Sequence, residues 1–223
     1  MNEFRIIQLK KGIFEENDAK AAGVRQKLQE EGTFMLNIMG SPGAGKTTLL
    51  VGTIEALKDE INIAVMEADV DSDVDAKEVA KTGVKVIQLH TGGMCHLDAA
   101  MTGQGIDALG ACEADFIILE NIGNLICTAG YDTGANKNAM ILSVPEGDDK
   151  PLKYPKMFKM ADVLIITKTD ALSLFDFDME VCVSRVRELN PDMEIFPLCA
   201  KTGEGMEPWI EWLRQNVGVA TSR

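Results

Sequence analysis

The chain has 223 residues, 46% of them hydrophobic and 26% charged, with a formal net charge of −13. That length suits one large domain, since a single core grows to about 200–250 residues, and the balance is that of a globular protein. No stretch approaches the roughly 18 apolar residues of a membrane span, and no run of Lys and Arg offers the clustered positive charge that nonspecific nucleic-acid binding needs.

The opening MNEFRIIQLKKGIFEEND interleaves charges with apolar positions, unlike a signal peptide, so the cytoplasm is the expected compartment. Residues 1–33 read as a polar N-terminal extension, partly helical, with Asp18 to Glu31 setting Val24 and Leu28 on one side. From residue 34 to 223 the pattern becomes strand, turn and helix, repeated as one P-loop domain. Strands are expected at 34–39, 61–67, 85–89, 116–120, 139–144, 162–167 and 194–198, and helices at 46–58, 75–82, 97–109, 178–189 and 207–217. Nearly continuous apolar strands suit burial on both faces. Their alternation with helices predicts an α/β fold: a mostly parallel sheet with helices on both faces and right-handed crossovers. Ligands in such sheets bind beyond the carboxyl ends of the strands.

The first of those loops is Gly40-Ser41-Pro42-Gly43-Ala44-Gly45-Lys46-Thr47, a complete G-x-x-x-x-G-K-[ST] between an apolar strand and a helical run that starts at Thr48. The glycines let backbone N–H groups and the helix N-terminus close on phosphate. Lys46 is expected on the β- and γ-phosphates and the Thr47 hydroxyl on Mg²⁺.

Asp69, Asp71, Asp73 and Asp75 follow the second strand. They do not make a calcium loop, which needs Gly and Glu where Val74 and Ala80 stand. Asp69 is expected as a magnesium-linked or water-orienting carboxylate, Asp75 as a helix N-cap, and Asp71 and Asp73 as solvated. Glu120 ends the run Phe116 to Leu119 in the position of a Walker-B carboxylate.

Five cysteines (95, 112, 127, 182 and 199), an odd number without a secretion signal, argue for free thiols or metal ligands over a disulfide framework. Cys95-His96 follows the strand 85–89, and Cys127 comes seven positions after Glu120. Two thiolates and an imidazole suit Zn²⁺, Ni²⁺ or Cu, while free cysteines are also commonly buried. Cys112 and Cys182 read as core, and His90 as structural, with a place as fourth ligand the alternative.

Thr167-Lys168-Thr169-Asp170 ends a later strand and resembles the guanine-reading N-K-x-D, with Thr for Asn. Asp170 is suited to accept from guanine N1–H and the exocyclic amine; the alternative is a turn capped by Asp170. Cys199-Ala200-Lys201 resembles the S-A-K loop that closes over the base.

Together GSPGAGKTT (40–48), MEADVDSDVDA (66–76), HTGGMCHLDAAM (90–101), ENIGNLIC (120–127), EGDDKPLKYPKMF (146–158) and KTGEGM (201–206) resemble the HypB family, the nickel-incorporation GTPases of hydrogenase maturation, from about residue 34 onward. The resemblance implies a fold like the signal-recognition and nitrogenase-iron-protein class. It implies GTP hydrolysis with Lys46, Asp69 and Glu120 at the reacting phosphate, and Mg²⁺ on Thr47, Asp69 and Glu120. It further implies Ni²⁺ or Zn²⁺ on Cys95, His96 and Cys127, a homodimer when GTP is bound, and a hydrogenase large-subunit precursor and other maturation proteins as partners. Three departures stand out. The cysteine-rich N-terminal nickel motif and the His-rich stretch of some members are absent, so N-terminal nickel storage is not expected. Thr167 replaces the base-reading Asn, which predicts weaker base selectivity. Thr128 follows Cys127 where many members have Pro, which predicts a less rigid loop. Two alternatives are a P-loop small-molecule kinase and a urease-type nickel accessory GTPase. The first would be expected to carry an Arg-rich lid, yet no Arg cluster lies between Gly83 and Tyr154. The second would be expected to carry a Cys-Pro-His motif, absent here.

Overall fold

The computed structural model describes residues 16–69, 73–110 and 114–218, together with the backbone of 5–8; Asp71 and Cys112 lie outside the described residues. Eight strands form one sheet: β1 (Arg5–Gln8), β2 (Phe34–Gly40), β3 (Ile63–Asp69), β4 (Lys85–His90), β5 (Phe116–Glu120), β6 (Lys137–Ser143), β7 (Val163–Thr167) and β8 (Glu194–Pro197). Their spatial order is β1-β4-β3-β5-β2-β6-β7-β8, and each pairing is parallel. The seven strands expected from residue 34 onward are present, with ends shifted by up to two residues. β1 was not expected: it adds to the edge beside β4, with Arg5 opposite Ile87 and Gln8 opposite His90.

The helices are α1 (Asn17–Glu31), α2 (Lys46–Leu57), α3 (Val74–Ala80), α4 (Ala99–Leu109), α5 (Lys150–Lys153), α6 (Pro155–Met160), α7 (Met179–Leu189) and α8 (Met206–Val217). The short α5 and α6 were not expected; each carries a proline in its first turn, where the missing N–H costs nothing. One cap is corrected. Asp73, not Asp75, is the N-cap of α3, and Asp75 lies inside the first turn.

Alternation along β2 splits the core. Leu36 and Ile38 join Val65, Ile118 and Ile165 beneath α2, α3 and α8. On the other face, Met35 packs with Met66, Leu119 and residues of α1 and α4, while Met39 packs with Met140, Leu142 and residues of α6 and α7. Each fully buried side chain of this size contributes about 1.5–3 kcal/mol. Asn37 is buried on β2 between those last two clusters. Its amide donates to Asn138 Oδ1 at 2.9 Å and its oxygen accepts from Asn121 at 3.1 Å, so the polar seam is hydrogen-bonded from β6 through β2 to the loop after β5. Cys182 is buried in α7, as expected of a core thiol. At the far edge Trp209 and Trp212 of α8 stack with ring centroids 5.4 Å apart, and the Trp209 indole donates to Thr53 Oγ1 of α2 at 3.0 Å.

Candidate functional site

β2 runs straight into the glycine loop. A Cβ at Gly40 would lie 3.1 Å from the Ile141 carbonyl oxygen, so a side chain there would push β6 away. Gly43 and Gly45 have φ of 75° and 95°, the left-handed region that admits glycine at no steric cost. The loop turns the first N–H groups of α2 toward an open cavity of about 560 Å³ lined by Gly43, Lys46, Thr47, Thr48, Asp69, Asp75 and Gly123 among others. Lys46 Nζ lies 3.4 Å from the Ser41 carbonyl oxygen. Gly123, in the loop after β5, must lack a side chain because its Cβ would sit 3.0–3.2 Å from Pro42.

Three carboxylates converge beneath this cavity. Glu67 of β3 and Glu120 of β5 are opposite each other in the sheet register, and both are buried. With Asp75 they form a group whose ligand oxygens all lie within 4.8 Å of one another. Thr47 Oγ1 donates to Glu120 Oε1 at 3.1 Å, while Glu67 Oε2 and Glu120 Oε2 are buried with no hydrogen-bond partner. Burial, then the neighbouring Glu120, push the Glu67 carboxyl up to about 9; burial pushes Glu120 up to about 7 against the pull of Lys46. Hard oxygen donors with unused lone pairs suit Mg²⁺. The reading of the sequence named Glu120 and Asp69 but missed Glu67 and the role of Asp75. The signal was present in the register of β3 against β5, which a single chain does not display.

The base-loop residues meet the glycine loop directly. Thr167 Oγ1 donates to the Ala44 carbonyl at 2.7 Å, and Lys168 Nζ donates to the Gly43 carbonyl at 2.7 Å. Lys168 holds φ 61°, a left-handed conformation that a non-glycine residue keeps only when its surroundings impose it. The threonine in the asparagine position therefore fastens the phosphate loop through its hydroxyl. Beside it lies a cavity of about 260 Å³ lined by Thr48, Lys168, Asp170, Cys199, Ala200 and Lys201 among others. The Cys199 thiol is buried and donates to Asp170 Oδ1 at 3.1 Å.

The thiol loops leave β4 and β5. Cys95 Sγ is 3.9 Å from His96 Nδ1, and Cys127 is the neighbouring group with the largest effect on the Cys95 thiol. Two donors on one tetrahedral ion stand about 3.6 Å apart, given metal–sulfur and metal–nitrogen bonds near 2.3 and 2.0–2.1 Å, so the Cys95–His96 spacing fits an ion with little movement. Cys127 and burial push the Cys95 thiol up, so binding there must release a proton. Burial holds the His96 imidazole below its usual range, in the neutral form a metal needs. Its ring stacks on Tyr131 at 3.5 Å and 15°. The Cys127 loop is fastened by Asn124, whose Oδ1 accepts from the N–H of Ile126 and Cys127, and by the Thr128 hydroxyl bonded to the Asn124 carbonyl. The Thr128 hydroxyl, in place of a proline ring, thus ties the residue after Cys127 back to Asn124. His90 ends β4 opposite Asp69.

The family model for the CobW/HypB/UreG nucleotide-binding domain matches residues 34–197. The chain is 42% identical over 218 residues to the hydrogenase maturation factor HypB of Azotobacter chroococcum, covering 98% of this chain and 72% of the relative. It is 41% identical to the hydrogenase/urease maturation factor HypB of Helicobacter pylori strain J99, with 93% and 86% covered. Among solved structures, HypB from Helicobacter pylori in complex with nickel superposes with a TM-score of 0.86 at 39% identity, covering 93% of this chain and 99% of that one. The signal recognition particle receptor FtsY of Elizabethkingia anophelis, at 14% identity and a TM-score of 0.53 over 82% of this chain and 66% of that one, shares the fold alone.

Proposed function

This chain belongs to the HypB family of hydrogenase maturation factors, within the CobW/HypB/UreG nucleotide-binding proteins, and from that membership we propose that it is a cytoplasmic GTPase carrying nickel for insertion into a hydrogenase precursor. One observation carries the reading: a phosphate loop, a base cavity holding Asp170, and the Cys95–His96–Cys127 group all follow carboxyl ends of one parallel sheet. Asp170 reads guanine by accepting two hydrogen bonds from the base, with Lys168 alongside and the Cys199-Ala200-Lys201 loop closing the cavity. Lys46 holds the β- and γ-phosphates. Thr47, Asp69 and Glu120 would hold Mg²⁺, with Glu67 and Asp75 as further oxygen donors beside Glu120, and the ion would supply neutralisation of phosphate charge. Cys95, His96 and Cys127 hold the Ni²⁺ cargo, with Zn²⁺ as the competing occupant. Three protein donors leave a position open, which a water or a second copy of the chain completes in the GTP-bound homodimer. The partners are the hydrogenase large-subunit precursor and other maturation proteins.

The test has two halves. The purified protein is expected to hydrolyse GTP steadily without any acceptor, and hydrolysis that requires one would favour the kinase reading. Metal analysis after Ni²⁺ exposure is expected to find metal on the wild type and none on Cys95→Ala or Cys127→Ala; equal loading of all three would eliminate the site. The name of the Helicobacter pylori relative favours urease as a second target, and delivery to each apo-enzyme distinguishes the two.

A further inference from the structure

α1 touches both loops that carry the cysteines. Asn17 is buried at its first position, where its amide donates to the Asp132 carbonyl at 3.0 Å and its Oδ1 accepts from the Ala99 N–H at 2.9 Å. Ala99 opens α4 three residues after His96, and Asp132 lies five residues after Cys127. One side chain thus spans the two loops. Two turns further along α1, Arg25 grips the Asp132 carboxylate with both terminal nitrogens, at 2.9 and 2.7 Å. Such fork-to-fork pairs fix geometry as well as charge. The same carboxylate accepts the Gly134 N–H at 2.9 Å, closing the turn from the other side. Between these anchors and the cysteines stands Tyr131, its ring flat against the His96 imidazole.

We infer that α1 is a clamp on the cargo-metal loops: Asn17 and Arg25 fix Asp132, and the adjoining Tyr131 ring then sets the plane in which His96 presents its nitrogen beside Cys95. The inference rests on the reading of Cys95, His96 and Cys127 as ligands. An imidazole can bond an ion only along the lone pair in its own plane, so a contact that stops the ring turning stops it losing aim. Asn17, Arg25 and Tyr131 are positioning residues; none of them is a ligand.

The probe is Ni²⁺ alone, followed by thiolate-to-nickel absorption in a titration of the full chain. Loss of a group that orients a metal ligand typically costs about 10–100-fold in affinity. Asn17→Ala and Tyr131→Ala are therefore expected to weaken Ni²⁺ by about tenfold or more. Tyr131→Phe, which keeps the stacked ring, is expected to match the wild type, and GTP affinity is expected to stay unchanged in all three. Arg25→Gln removes only the half-exposed pair and serves if Asn17→Ala does not fold; it is expected to give a smaller loss in the same direction. Unchanged Ni²⁺ affinity in the alanine variants overturns the clamp. So does a Tyr131→Phe loss equal to that of Tyr131→Ala, or a parallel fall in GTP affinity that marks general unfolding. Cys95→Ala separates the two levels. If it binds Ni²⁺ as well as the wild type, the ligand reading has failed and the clamp with it; if it alone loses Ni²⁺, only the clamp has failed.

Discussion

Glu67 and Glu120 stand side by side on neighbouring strands beneath the phosphate loop, and the folded chain keeps a proton on Glu67 up to about pH 9 and on Glu120 up to about 7. An ordinary glutamate releases it near 4.5. Between those limits the unfolded chain holds fewer protons than the folded one, so stability falls as pH rises, by up to about 1.4 kcal/mol per pH unit for each group. Below about pH 4.5 the two states hold the same protons and this penalty is absent. Glu67→Gln removes the larger share. Its melting temperature without nucleotide is expected to exceed that of the wild type by more at pH 8 than at pH 5; a gain independent of pH would show that Glu67 is charged in the fold. At the base, Asp170→Asn is expected to weaken GTP and improve xanthosine triphosphate, because xanthine offers a carbonyl where guanine has an amine. Competition between the two nucleotides measures it directly, and an unchanged preference for GTP would remove Asp170 from the base site. Glycine spacing made the phosphate loop legible in the sequence, since only that spacing wraps a phosphate. Glu67 was not legible, because a lone acid near the end of an apolar strand looks like the strand's edge until β5 is laid beside it.

At the scale of elements, strands from residue 34 onward were legible because most are buried on both faces and their apolar runs are nearly continuous, although Asn37 and Gln88 interrupt β2 and β4 and the edge strand β8 stays partly exposed. β1 and α1 were less so. Four residues in a charged stretch carry no period of their own, and β1 forms where β4 leaves an edge to pair with. Val24 and Leu28 marked the inner side of α1, yet its docking depends on a distant glycine. Gly134 has φ 82°, and a Cβ there would lie 2.6 Å from Val24 Cβ and 3.0 Å from the Ala21 carbonyl oxygen. Gly134→Ala combines left-handed strain of roughly 1–2 kcal/mol with a clash against helix backbone. Its unfolding free energy in urea is expected to fall by about 3 kcal/mol. A midpoint that does not move would mean that α1 shifts freely on the sheet.

At the scale of the whole molecule, β4, β3 and β5 are adjacent, and they lead in turn to Cys95, to Asp69 and to Glu120 with Cys127 beyond it. The two ligand regions therefore hang from the same three strands. If the proposed function holds, a γ-phosphate that moves Asp69 or the loop after Glu120 is expected to move a thiol as well. Ni²⁺ affinity is expected to differ between the GDP form and a non-hydrolysable GTP analogue by about 1–3 kcal/mol, with the same factor appearing in nucleotide affinity when Ni²⁺ is present. Equal affinities in both nucleotide states, across protein concentrations, would dissolve the link. No periodicity in the sequence shows this adjacency, because β3 and β5 are neighbours only after a crossover has brought them together.

Both tryptophans of the chain lie in one aromatic stack, beneath the helix that begins at Lys46 and on the opposite side of the sheet from α1 and α4. Intrinsic fluorescence is thus a local instrument in this protein. Emission follows α2 and the β8 edge, through the Thr53 hydrogen bond, and has no chromophore of its kind on the side where His96 and Tyr131 meet. An emission change on adding nucleotide reads motion at the phosphate-loop helix. An emission change on adding Ni²⁺ would have to cross the sheet to be seen, so it would be a direct optical record of the two sites speaking to each other.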